Sequence, residues 1–162
     1  MKIDTLWAPW RIRYIQGKKN KTCIFCAALR QKEDRNYVVI KNKYSFSMLN
    51  IFPYNNGHVM VSPNRHKSRL ENLSRTEVLD LFKTLAQTKK LLDKVLKPEG
   101  YNLGININEV AGAGIKSHLH IHLVPRWKAD TNFMPVCADT KVISQSLQEL
   151  YIKLKNAKSK LD

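Results

Sequence analysis

His118-Leu119-His120-Ile121-His122-Leu123-Val124 alternates an imidazole with an aliphatic side chain, and Pro125-Arg126-Trp127 follows it. In an extended strand successive side chains point to opposite faces, so all three rings share one face. Leu119, Ile121 and Leu123 then point into a core. Crowding three polar rings on one face asks for three sets of hydrogen-bond partners, which a bare scaffold has no reason to supply. The flanking aliphatics argue against an exposed face. What remains is a metal site or a catalytic face, since imidazole is nucleophile, base and ligand near neutral pH.

Reading outward, Tyr37-Val38-Val39-Ile40, Tyr44 to Leu49 and His58-Val59-Met60-Val61 carry strand patterns, the last stopped by Pro63. Pro53 to Gly57 is turn chemistry. Residues 23–32 read as a short turn-to-helix element. Residues 71–96 read as the longest helix, with Ser74 as N-cap and Glu77 completing a capping box. Val78, Leu81, Phe82, Leu85, Leu92, Val95 and Leu96 form its expected apolar face, and Lys97-Pro98-Glu99-Gly100 ends it. Tyr101 to Ile107 alternates as a fourth strand, and the histidine run is the fifth. Residues 142–155 read as a closing helix with Ile143, Leu147, Leu150 and Leu154 inward. Hairpin-linked strands around one long helix imply an α+β fold: a five-stranded antiparallel sheet, one long helix and a C-terminal helix in a single domain.

Composition sets outer bounds. The 162 residues suffice for one domain with a sizeable core, and 43% hydrophobic with 25% charged residues is ordinary for a globular chain. No run of apolar residues is long enough to span a membrane, and Met1-Lys2-Ile3-Asp4 opens no apolar signal core, so the expected compartment is the cytoplasm. The net charge of +15 is partly gathered in Lys18, Lys19 and Lys21, then Lys153, Lys155, Lys158 and Lys160. It fits either a solvated lysine surface or attraction of a polyanion, whether nucleic acid or a phosphorylated small molecule. The 3 cysteines are too few for a disulfide framework. Cys137 reads as a small buried hydrophobe. Trp7, Trp10 and Trp127 are expected to line a cleft or a subunit contact, or else to pack in the core.

Two constellations carry chemistry. Alone, Ala111-Gly112-Ala113-Gly114 is a weak signal and reads first as a plain loop; directly before three histidines it places amides that can cradle phosphate beside a nucleophile. Cys23 and Cys26 have zinc-ligand spacing and need two further ligands. His66 and one histidine of the run are the candidates, and His118, at the edge of the run, fits best. His58 opens its strand and is placed to hold one of the rings in a chosen tautomer.

His118 to Val124 resembles the signature of the histidine triad (HIT) family of nucleotide hydrolases and transferases. The resemblance continues through Phe46 to Pro63, with Asn50 and Gly57-His58-Val59-Met60-Val61, and covers about residues 23–127. Leu6-Trp7-Ala8-Pro9-Trp10-Arg11, the Gly112 loop, Pro125-Arg126-Trp127 and Asp130 to Val136 resemble the bacterial branch that includes diadenosine tetraphosphate (Ap4A) phosphorylases. The resemblance implies an N-terminal extension over 1–22, a HIT domain over 23–127 and a C-terminal extension with its helix over 128–162.

It also implies roles. His120 is the nucleophile that takes a nucleotidyl group from the α-phosphorus of an adenosine polyphosphate. His122 contacts the α-phosphate and bridging oxygen, and His58 supports the rings. Asn50 binds ribose hydroxyls; Asn106 and Gly112, Ala113 and Gly114 bind phosphate. Gly114-Ile115 stands where many relatives carry a hydroxyl or amide, which leaves backbone contacts or Ser117 as substitute. Some members bind zinc at positions matching Cys23, Cys26, His66 and His118. No organic cofactor is expected, and a homodimer pairing across the long helix and the fourth strand is. The alternatives are a nucleoside phosphoramidate hydrolase, which would use the same residues, and a zinc-stabilised nucleic-acid-binding module, motivated by the charge and the cysteine pair.

Overall fold

A computed structural model describes residues 22–31, 36–130 and 143–159. The expectations for Trp7, Trp10, Cys137 and residues 131–136 lie outside these. Five strands, β1 (Val38–Lys41), β2 (Ser45–Leu49), β3 (Val59–Pro63), β4 (Gly100–Gly104) and β5 (Ile121–Arg126), form one sheet in the order β1-β2-β3-β5-β4. Every pairing is antiparallel. Among the described residues three α-helices flank the sheet: α1 (Ile24–Arg30), α2 (Arg75–Leu96) and α3 (Leu147–Lys158).

The sheet separates two cores. Leu49, Val59, Val61, Ile121 and Leu123 pack with Leu81, Leu91 and Leu92 of α2 and Leu150 and Leu154 of α3. A smaller cluster joins Phe46, Met48 and Met60 to Phe25 and Ala28 of α1. Alternation along β3 and β5 therefore decides the chemistry. Ile121 and Leu123 go to the large helices, while Met60 and His122, directly paired across the strands, face the α1 side.

Ser74 caps α2 as expected: its side chain accepts from the Glu77 N–H, and Glu77 Oε2 takes the Ser74 N–H at 2.9 Å. The buried stripe of α2 differs from the expected one. Glu77, Leu81, Thr84, Thr88, Leu91 and Leu92 are buried, whereas Val78 and Phe82 are 37% and 58% exposed. The reason is a hydroxyl seam. Thr88 Oγ1 donates to Ser47 Oγ at 2.9 Å and Thr84 Oγ1 lies 2.7 Å from Ser45 Oγ, so two threonines turn inward where the hydrophobic pattern favours their neighbours.

Three boundaries also differ. The 3-10 turn Leu70–Asn72 precedes α2, which starts at Arg75. β4 stops at Gly104, before Ile105-Asn106-Ile107. α3 begins at Leu147 because Ser146 caps it, its side chain accepting the Glu149 N–H at 3.2 Å.

Candidate active site

The histidine run is only half strand. β5 begins at Ile121, so His118 and His120 precede the ladder and His122 lies in it. The run is still pinned: the Leu119 N–H donates to the Lys67 carbonyl at 2.6 Å, and the Leu119 carbonyl accepts from Ser62 Oγ at 2.8 Å. His118, His120 and His122 are all buried. Instead of one shared role, the three rings divide between two sites.

His118 belongs to the first. Its Nε2 lies 2.9 Å from the Pro63 carbonyl. A carbonyl only accepts, so Nε2 carries the proton and Nδ1 keeps its lone pair. That Nδ1 is 3.3 Å from Cys23 Sγ and 3.6 Å from Cys26 Sγ, and Cys26 Sγ is 3.3 Å from His66 Nδ1. The four ligand atoms lie within 4.8 Å of one another. A tetrahedral cation with bonds of about 2.0–2.3 Å spaces its ligands about 3.3–3.8 Å apart, a range that the three closest separations match. The Pro63 carbonyl is the outer partner that such a histidine ligand needs. α1, opening on Cys23, also presses Phe25 against the His118 and His120 rings, with centroids 5.0 and 4.9 Å away.

The second site is an open cavity of about 410 Å³ lined by His120 and His122, Asn50, Gly112 and Gly114, and an apolar wall that includes Ile24, Phe52, Tyr54 and Met60. His120 Nδ1 is 2.9 Å from the His118 carbonyl. It therefore donates there, and Nε2 keeps the lone pair. His122 is set the other way. His58 Nδ1 receives the backbone N–H of Tyr54 at 3.1 Å, with Asn50 Nδ2 at 3.2 Å. A backbone N–H cannot accept, so the His58 proton sits on Nε2 and is donated to His122 Nδ1, 2.9 Å away. The His122 proton is thereby forced to Nε2. Two neighbouring rings, 4.9 Å apart, thus offer one lone pair and one N–H to the same cavity.

Burial keeps these rings neutral. It pushes His58 down to about 3, with His122 and then His120 adding to the effect. Burial and then His120 bring His122 down to about 4. Gly57 is required just ahead of His58: its φ is +75°, and a Cβ there would come 2.5 Å from Leu96 Cδ1.

The expected nucleotide-binding residues divide as well. Asn50, Gly112 and Gly114 line the cavity, whereas Asn106, Ala113 and Ser117 are absent from its lining. Asn106 Nδ2 instead reaches the Gly112 carbonyl at 3.4 Å, and Gly112 has φ +84°, so Asn106 shapes the loop. Ala113 is buried and Ser117 exposed. Trp127 is half-buried. Sequence reasoning missed the Tyr54 amide, the Tyr54 ring stacked 5.5 Å from His122, and Phe25. The exposed apolar pair Ile51-Phe52 inside a turn was the available sign of a ligand wall.

The chain as a whole is similar to known proteins. The model of the HIT domain matches residues 31–129. The AP-4-A phosphorylase of Mycobacterium tuberculosis is 32% identical over 157 residues, 91% of this chain and 80% of that protein. The asymmetrical bis(5'-nucleosyl)-tetraphosphatase of Schizosaccharomyces pombe is 36% identical over 93 residues, 57% of this chain and 50% of its own length. Among solved structures, a Zn-bound histidine triad family protein from Mycobacterium smegmatis superposes with a TM-score of 0.65 at 22% identity, over 87% of this chain and 96% of that one.

Proposed function

The chain belongs to the HIT domain family, and on that premise we propose that it is a nucleotide-processing enzyme that cleaves dinucleoside polyphosphates of the Ap4A type at the α-phosphate. The observation that carries this reading is the opposed pair of tautomers at His120 and His122. In the first step the His120 Nε2 lone pair forms a bond to the α-phosphorus, and the P–O bond to the leaving nucleotide breaks. No proton moves. The ring becomes an N-phosphoryl imidazolium, and its Nδ1–H remains on the His118 carbonyl, which stabilises the new charge. The His122 Nε2–H donates a hydrogen bond to the bridging oxygen. A neutral imidazole is too weak an acid to do more, and a nucleoside triphosphate leaves as a stable anion. In the second step a phosphate or water oxygen attacks the same phosphorus, the P–N bond breaks, and His120 recovers its lone pair. Water yields a free proton as well; phosphate yields a nucleoside diphosphate.

Among the described residues no lysine or arginine lines the cavity. The reading therefore assigns the phosphoryl oxygens to His122 and to the amides of the Gly112–Gly114 loop; fixed donors of this kind contribute about 3–4 kcal/mol each to a transition state. Asn50 would accept a ribose hydroxyl on the oxygen that already takes the Phe52 N–H at 2.9 Å. Base stacking falls to Phe52, Tyr54 and Met60. The first site would hold a structural zinc through Cys23, Cys26, His66 and His118, where it would fasten α1 to the histidine run. Cys23 and Cys26 are not joined in a disulfide, and a reduced pair that can ligate zinc fits the cytoplasmic location we infer.

Product analysis with Ap4A tests the reading. ADP plus ATP in the presence of phosphate signals phosphorolysis, and AMP plus ATP without it signals asymmetric hydrolysis. His120→Ala is expected to abolish turnover while keeping the fold and one zinc per chain. Wild type that turns over no Ap4A but binds RNA in a salt-sensitive manner would overturn the enzyme assignment in favour of a nucleic-acid module.

A further inference from the structure

Outside the cavity, a second polar cluster ties the turn that carries His58 to the end of β5. Asp130, its side chain 6% exposed, accepts Arg126 Nε at 2.6 Å. Its Oδ2 also takes the Trp127 N–H at 3.2 Å and Asn55 Nδ2 at 2.8 Å. Asn55 Nδ2 further donates to the Pro125 carbonyl at 3.0 Å. Both protons of this buried amide are thus used, which fixes its rotation. The Asn55 main-chain carbonyl in turn accepts the His58 N–H at 3.2 Å. Neither Asn55 nor Asp130 lines the cavity.

We propose that Asn55, held by Asp130, is a positioning residue that sets the tautomer of His122 by way of the Tyr54 amide and His58. The turn is clamped at Asn55 by two acceptors from the β5 end, and at Gly57 the Leu96 and Pro125 side chains leave no room for a Cβ. Between these clamps and Asn50 the Tyr54 N–H has one direction, onto His58 Nδ1. Release the clamp and that donor swings away. His58 Nδ1 then keeps only the longer Asn50 Nδ2 donor at 3.2 Å, and the ring more readily carries its proton on Nδ1 and turns an Nε2 lone pair toward His122. His122 must answer with Nδ1–H, and its Nε2 becomes a second lone pair beside that of His120. His122 then no longer donates to the bridging oxygen, where negative charge develops as the P–O bond breaks, so the damage falls on the chemical step more than on binding. Asp130 opens the stretch to Val136 that the family resemblance singles out, and this gives its first residue a task.

The activity arm of the test rests on the proposed Ap4A cleavage; the spectroscopic arm does not. Nitrogen-15 NMR of the full chain without substrate reports which ring nitrogen bears the proton. Wild type is expected to show Nε2–H at both His58 and His122. Asn55→Ala should introduce Nδ1–H at His122 and lower kcat about 10- to 100-fold, with KM changed far less. Asp130→Asn, which spares the Pro125 hook, should shift the same signals by a smaller amount and remains readable should Asn55→Ala fold poorly. The double variant should be no slower than Asn55→Ala alone, because both changes act along one path. Unchanged tautomers in the variants, or losses in kcat that multiply, would overturn the proposal. Should wild type prove inactive on Ap4A, a tautomer shift at His122 would still uphold it while the substrate assignment fell.

Discussion

His58 works for His122 only while it is neutral, and that links the site to stability. Its pKa falls from an unfolded value near 6.5 to about 3 because burial, then His122 and His120, disfavour the charged ring. The unfolded chain therefore binds the proton first as pH drops. The contribution is fully present above about pH 6.5 and is lost progressively as pH falls toward 3, at up to about 1.4 kcal/mol per pH unit. His122 faces His58 and titrates near 4, so it adds to the same decline. Denaturant titrations between pH 7 and 4 should show His58→Gln, which has no ring to protonate, losing stability less steeply than wild type. Parallel slopes would mean that His58 is not the neutral hinge of the site. At this scale the sequence is informative wherever the residue type carries the chemistry: His120, His122, His58 and the Cys23–Cys26 pair are readable. The donor that fixes His58 is a backbone N–H at Tyr54, and the side chain printed at a position says nothing of its amide. Asn55 likewise reads as a turn residue, because the partner that gives it meaning is Asp130, 75 positions away.

Helices and strands are legible to the extent that their signals are local. The capping box of α2 is local, and it appears where Ser74 and Glu77 place it. The buried face of α2 depends on what the sheet offers, and Ser45 and Ser47 offer hydroxyls, so Thr84 and Thr88 displace Val78 and Phe82 from it. The C-terminus of α2 carries a further consequence. Lys97 sits in the left-handed region, with φ 49° and ψ 53°, a conformation that helix ends usually give to glycine. A Cβ in that region costs about 1–2 kcal/mol, partly offset by the extra freedom glycine has when unfolded. Lys97→Gly should therefore raise stability by about 0.5–1 kcal/mol, read as a higher denaturation midpoint at unchanged m-value. A lower midpoint would show that the lysine side chain makes a contribution larger than the backbone cost it imposes.

For the whole molecule, five antiparallel strands and two principal helices follow from hydrophobic period and turn residues, while the way the sheet ends is not visible in any one segment. β4 is an edge strand, so one side of its backbone has no partner strand among the described residues. It exposes Leu103, and α2 exposes Leu79 and Phe82, at 58%, 63% and 58% respectively. Exposed bulky apolar groups, like an unpaired edge, are a usual mark of a covered surface. A second copy related by a two-fold axis would cover it by pairing β4 with β4, and an isologous contact needs no other partner. Light scattering at micromolar concentration should accordingly give about twice the 18.8 kDa of one chain. Replacing Phe82 with Glu puts a charge on that surface and none in either site, so it should shift the protein toward monomer while leaving the zinc content unchanged. A wild-type protein that stays at the mass of one chain at all concentrations would rule the pairing out, and the apolar surface of α2 would then need a different partner.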